Sequence, residues 1–155
     1  MDIIVIVISL VSLIVSVLVA MSERRISSKA NTLVVVDLLR EHGQPSFVET
    51  RFYIMRQHLL GADLSRGIQG IPGDKRMQVI ELLAFYDLIA ALHVHGVIDT
   101  KPIDNYIGGA AINVYRRMEE CIDAEREIRG YIYLDHFRQW VDHIKSSIPR
   151  QYIGR

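Results

Sequence analysis

The chain opens on an almost unbroken apolar run: 17 of the residues from Met1 to Met21 are apolar, and Ile3 to Met21 contains no charge, glycine or proline. As a helix rising about 1.5 Å per residue, that stretch covers roughly 28 Å, close to the roughly 30 Å hydrocarbon core of a bilayer. Strands seldom exceed about 10 residues. A cleaved signal peptide wants a basic start and small residues at its exit, whereas this chain offers Met1-Asp2 and Leu18-Val19-Ala20. The pattern predicts a retained transmembrane anchor over 1–21. Within it, Ser9, Ser12, Ser16 and Ala20 recur at steps of three, four and four, a small-residue stripe along one helix face. Such stripes let membrane helices approach closely. The other reading is that each serine bonds back to its own helix.

Past Ser22 the period becomes amphipathic. Ile26, Ala30, Leu33, Val34 and Leu38 predict a juxtamembrane helix over 22–43, stopped by Gly43 and Pro45. Arg24, Arg25 and Lys29 fall just beyond the span, where each basic side chain near anionic headgroups contributes about 1 kcal/mol. The positive-inside bias then puts the short N-terminus outside and the rest of the chain in the cytoplasm.

Residues 44–148 read as a helical domain and 149–155 as a tail. Ser46-Phe-Val-Glu49 has the form of a capping box, and Val48, Phe52, Met55 and Leu59 make the apolar stripe of the helix it starts, with Gly61 as its end. The glycine- and proline-rich stretch from Gly61 to Asp74 reads as a loop. Its Gly67, Gly70 and Gly73 lack the Gly-Lys-Ser/Thr ending and preceding strand of a phosphate-binding loop. Lys75 to His95 is apolar almost all round, which predicts a central helix covered by neighbours, with Gly96 as its cap. Asp74, Lys75, Arg76, Glu81 and Asp87 argue against a second span there, since a charge at the bilayer centre costs about 2.5–3.5 kcal/mol.

A further helix starts at Asp99-Thr100 before Pro102, its face marked by Ile103, Tyr106, Ile107, Ala110, Ala111, Val114, Met118 and Ile122. Gly108-Gly109 predicts a kink or a close helix contact. A last helix over 131–147 presents Tyr133, Phe137, Trp140, Val141 and Ile144. No β-pattern competes, so the class is all-α: an N-terminal transmembrane helix followed by a cytoplasmic bundle of four to five helices.

Charge and composition narrow the function classes. Eighteen Lys+Arg balance eighteen Asp+Glu, and the pI is near 7.0. Nucleic-acid binders usually show a basic excess and a pI above about 9, so no nucleic-acid partner is expected. One cysteine excludes an internal disulfide framework. Cys121 lies beside Glu120, and an acidic neighbour raises a thiol pKa rather than activating it. Of the histidines, His93 and His95 are two apart and do not share a helix face, while His136 and His143 are seven apart and do. Without a His-Glu-x-x-His or paired Glu-x-x-His pattern, no metal ligand, cofactor or catalytic residue is assigned. Glu81 and Asp87 stand out on the apolar central helix, roughly 120° apart around its axis. Buried carboxylates need partners, and Arg51, Arg56 and Arg117 are the candidates. The structural reading is a buried ion pair that fixes helix register; the chemical one is an active-site acid.

The segments Arg51-Phe-Tyr-Ile-Met-Arg56, Val79-Ile-Glu-Leu-Leu-Ala-Phe-Tyr-Asp87, His95-Gly-Val-Ile-Asp99 and Tyr115-Arg-Arg-Met118 resemble a family of small bacterial single-pass membrane proteins of unknown function. The resemblance implies a bacterial inner-membrane location, an N-terminal span and a helical cytoplasmic domain. It implies no catalytic residue. The expected function is a membrane-anchored interaction or scaffold subunit that touches lipid and self-associates, or tethers a larger membrane complex. The alternative is an oligomeric membrane-perturbing or pore-forming effector.

Overall fold

A computed structural model of the chain describes residues 32–57, 59–98, 101–130 and 132–147. The expected span, its Ser9, Ser12, Ser16 and Ala20 stripe, the basic residues Arg24, Arg25 and Lys29, and the tail lie outside the described residues. The chain divides into two compact units, Met1–Val34 and Val35–Arg155. Helix α1 covers 32–42, and from Val35 onward it belongs to the second unit together with α2 (Pro45–Met55), a 3₁₀ segment (Leu64–Gly70), α3 (Gly73–Val94), α4 (Lys101–Arg129) and α5 (Asp135–Ser147). No strand occurs among the described residues, in keeping with the all-α reading.

Helix α2 departs from its sequence reading in two ways. It begins at Pro45, with Gln44 as N-cap and no side-chain capping bond, so Ser46 lies inside the first turn and the expected capping box is not formed. Proline at the first helical position has its φ already set and gives up a backbone N–H that would be unpaired anyway. The Ser46 carbonyl instead accepts the Thr50 hydroxyl at 2.7 Å. The inward face is Phe47, Thr50, Tyr53 and Ile54, while Val48 and Phe52 point out. Both faces of α2 carry apolar side chains, so periodicity alone does not choose between them. Tertiary contacts decide: the Phe47 ring sits 5.0 Å from that of Phe85 on α3, and the Tyr53 hydroxyl donates to the Leu60 carbonyl at 3.2 Å.

The loop over 61–74 is packed rather than loose. Ile68 and Ile71 are buried, and the 3₁₀ segment lies against α4. Helix α3 ends in a paired cap: Gly96 takes φ +63°, its N–H donates to His93, and the Val97 N–H donates to Leu92. These two bonds satisfy carbonyls that a helix end leaves free, and glycine reaches the positive φ without a Cβ clash. On α4, Gly108 resolves the kink-or-contact alternative. Its face is buried, and a Cβ there would stand 3.3 Å from Ile144 of α5. The missing side chain lets α4 and α5 close up. Tyr86, Ile89, Ile107, Met118, Phe137 and Trp140 form the centre of the core.

Candidate functional site

Three groups of polar side chains lie within or beside this core. The deepest is Glu125 on α4, which is 2% exposed. One carboxylate oxygen accepts the Ile68 N–H at 2.9 Å, and the other accepts Arg129 Nε. Gly67, at φ +61°, carries the chain so close that any side chain would run into the Glu125 carboxylate. Gly67 therefore serves a buried carboxylate of the protein itself, whereas Gly70 packs on the Asp63 backbone and Gly73 has open space beside it. Loop and helix are pinned together by a paired charge, which is the condition for burying one.

The second group joins α1, α2 and α3. His42 is buried, and its Nε2 lies 3.2 Å from the Tyr86 hydroxyl. Arg51 Nη1 donates to the His42 carbonyl at 2.8 Å. Burial, reinforced by the Arg51 charge, pushes the His42 pKa down to about 4. Burial likewise pushes the Tyr86 phenol up to about 12. Both are therefore neutral at physiological pH, as a desolvated pair should be. Tyr86 also stacks on Phe137 at 5.1 Å between centroids, so the same side chain links the α1 latch to α5.

The third group lies between α3 and α5. The Asp87 carboxylate accepts the Phe137 N–H at 2.9 Å through one oxygen, and its other oxygen is 3.8 Å from His136 Nδ1. A carboxylate here satisfies a free N–H of the first turn of α5 and faces the positive end of its dipole. Two imidazole pairs accompany it. The His93 and His143 rings are 4.6 Å apart, and those of His95 and His136 are 5.6 Å apart. Spacing within a single helix reveals neither pair, because both form between the α3 end and α5.

The residues expected to make a buried ion pair are dispersed. Glu81 is exposed at the rim of a groove of about 460 Å³, whose floor includes Phe47, Ala84 and Leu88. Asp87 is half-buried and committed to α5; Arg51 is half-buried and committed to the His42 carbonyl; Arg56 and Arg117 are exposed. The expected burial of Glu81 and its pairing with these arginines are corrected accordingly. An apolar helix does not bury a carboxylate merely by carrying it: Glu81 falls on a face of α3 that the described residues leave open. Among the described residues, no three His, Cys, Asp or Glu side chains are grouped to hold a metal ion. Cys121 is buried, and burial together with Glu125 and Glu120 raises its pKa to about 12, which keeps it a thiol.

Fold and site together define a small helical domain whose interior polar groups hold helices to loops and to one another. Residues 6–146 match a protein family described as a domain of unknown function (DUF4760), and the chain belongs to that family. No curated protein and no solved structure matches the chain.

Proposed function

We propose that the chain is a membrane-anchored helical subunit that works by association, with its own copies or with a partner complex, at the cytoplasmic face of a bacterial inner membrane. The observation that carries this reading is the outer face of α3. Met77, Glu81, Ala84 and Leu88 follow one another at steps of four, three and four, so they share one face. Met77 is 63% exposed and Leu88 52%. By length and composition α3 is apolar enough to cross a membrane, yet Val79, Leu82, Leu83, Phe85, Tyr86, Ile89 and Ala90 are buried in this domain's core. Val48 and Phe52 on α2 add further exposed apolar surface. Apolar surface of this kind marks sites of protein or membrane contact.

The anchor in this proposal is Ile3–Met21, with Arg24, Arg25 and Lys29 at the headgroups and the Ser9, Ser12, Ser16 and Ala20 stripe as the face on which spans meet. The family match begins at residue 6, inside the apolar run, which supports treating that run as part of the domain's own architecture. The proposal assigns no catalytic step.

The test uses the full chain in membranes. Alkaline carbonate should leave it in the pellet, and crosslinking should give oligomer bands that weaken with Ser12→Leu and Ser16→Leu. Release into the supernatant would remove the anchor, and unchanged bands would remove the stripe. An oligomeric pore, the competing reading, requires conductance when the chain is reconstituted in liposomes.

A further inference from the structure

We infer that His95 on the C-terminal cap of α3 and His136 in the first turn of α5 form a clamp for one divalent transition-metal ion, with Asp87 as the positioning carboxylate. Three observations lead there. The first is separation. A Zn–N bond of about 2.0–2.1 Å places an imidazole centroid about 3.2 Å from the ion, so two rings bound at 90–120° have centroids about 4.5–5.5 Å apart. The His95 and His136 centroids are 5.6 Å apart with the rings inclined at 57°. Both imidazoles already lie within a few tenths of an ångström of that span.

The second is the carboxylate behind His136. Asp87 Oδ2 stands 3.8 Å from His136 Nδ1, and Asp87 Oδ1 is held by the Phe137 N–H at 2.9 Å. A metal-bound histidine usually donates its other ring N–H to a carboxylate or carbonyl, which fixes the tautomer and strengthens the ligand. At 3.8 Å the two groups are in ion-pair range rather than hydrogen-bonded; on metal binding a small turn of the imidazole would bring Nδ1–H onto Asp87 and leave Nε2 to coordinate. Asp87 is itself fixed by the backbone of the helix that carries His136, so ligand and carboxylate move as one piece.

The third is access. His95 is exposed and the His136 side chain is 39% exposed. An ion therefore has a route in, and waters complete its coordination. Two protein ligands leave the remaining coordination positions open. Imidazole donors select zinc, nickel and copper over magnesium and calcium, which prefer oxygen. A bound ion would fasten the first turn of α5 to the end of α3 and stabilise the domain by mass action, because the unfolded chain does not hold the two rings together.

The experiment uses the untagged full chain in detergent or nanodiscs at pH 7.5, with zinc, nickel or magnesium chloride alone as the probe. Zinc and nickel should raise the unfolding midpoint saturably, by about 5 °C or more at millimolar metal; magnesium should not. His95→Ala and His136→Ala should each abolish the rise. Asp87→Asn should weaken the apparent affinity by about 10-fold, the usual effect of removing such a carboxylate. The His93 and His143 rings, 4.6 Å apart, also meet the spacing, so a double His93→Ala, His143→Ala variant separates the two pairs: it should keep the rise, because the clamp is the pair that Asp87 backs. Calorimetric titration of the same variants gives the affinity independently of stability. The inference is overturned by absence of any saturable response at 1 mM zinc, by survival of the response without both His95 and His136, or by its loss in the His93, His143 double variant. None of these outcomes depends on whether the chain self-associates.

Discussion

Helices α5 and α3 pack against each other, yet they divide their residues between core and solvent in different ways. On α5 the buried set is Phe137, Trp140, Val141 and Ile144, the i, i+3, i+4, i+7 pattern of a single face. The residues between them, Arg138, Gln139, Asp142 and His143, are exposed. On α3, Val79, Leu82, Leu83, Phe85, Tyr86, Ile89 and Ala90 are buried, and Met77, Ala84 and Leu88 remain outside. The α5 sequence matches what this domain demands of it and nothing more. The α3 sequence carries apolar surface beyond that demand, most of it on the face of Met77, Ala84 and Leu88, with Val94 also exposed at the helix end. On the proposed reading, excess apolarity on a helix whose core face is already satisfied reflects the surroundings of the domain rather than its folding.

The largest expected effect lies on the α5 side of the contrast. Trp140 is fully buried, close to Tyr86 and Phe137, and its Nε1 donates to Asp104 Oδ1 at 2.7 Å. Trp140→Ala should cost about 3–5 kcal/mol in urea unfolding of the chain. Trp140→Phe keeps most of the apolar contact but loses the bond to a carboxylate, and should cost about 1.5–3 kcal/mol. If both variants unfold as the parent does, α5 is not the keystone that its burial implies.

The same contrast explains how much could be read in advance. The α5 face and most of the α4 stripe were legible because polar residues separate the apolar ones at helical spacing, although Tyr106 of that stripe is exposed. The α2 face was not, because Val48 and Phe52 compete with Phe47 and Ile54 and only the Phe85 ring breaks the tie. The apolar pattern points to α3 for a buried carboxylate, whereas the buried one stands on the charge-rich part of α4. Glu125 lies among Asp123, Arg126, Glu127 and Arg129, where sequence shows a solvated face. What singles it out is the glycine loop brought onto it from 57 residues away, a long-range pairing that no local pattern encodes. The histidine pairs between α3 and α5 were hidden for the same reason.

A middle-sized effect tests the latch that joins α1 to this core. His42 is neutral when folded, with its pKa lowered to about 4 from 6.5. Between those values the unfolded chain binds a proton that the folded chain refuses, so stability falls as pH drops through 6.5 and the loss levels off below about 4. From pH 7 to pH 5 this amounts to about 1–2 kcal/mol. Replacing the imidazole by a group that cannot ionise should remove that component. His42→Asn should lower stability at pH 7 yet lose less between pH 7 and pH 5 than the parent chain, as read by urea midpoints at the two pH values. Equal losses in both would show that the Tyr86 and Arg51 surroundings leave His42 free to protonate in the folded state.

The smallest effect on folding is also the sharpest test of the comparison. Met77→Ser and Leu88→Ser alter large side chains that touch solvent, so together they should change the stability of the domain by under about 0.5 kcal/mol each. The corresponding pair on α5, Phe137→Ser and Ile144→Ser, removes core contacts and should unfold it. If the outer face of α3 serves only this domain, the first pair will behave like any surface change in membranes as well as in urea. If it serves association, the parent and the Met77, Leu88 variant will share one urea curve but differ in crosslinked oligomer, with the variant reduced several-fold. A substantial loss of stability would instead mean that these side chains belong to the core. The surplus apolarity of α3 would then be a packing requirement, and the contrast with α5 would disappear.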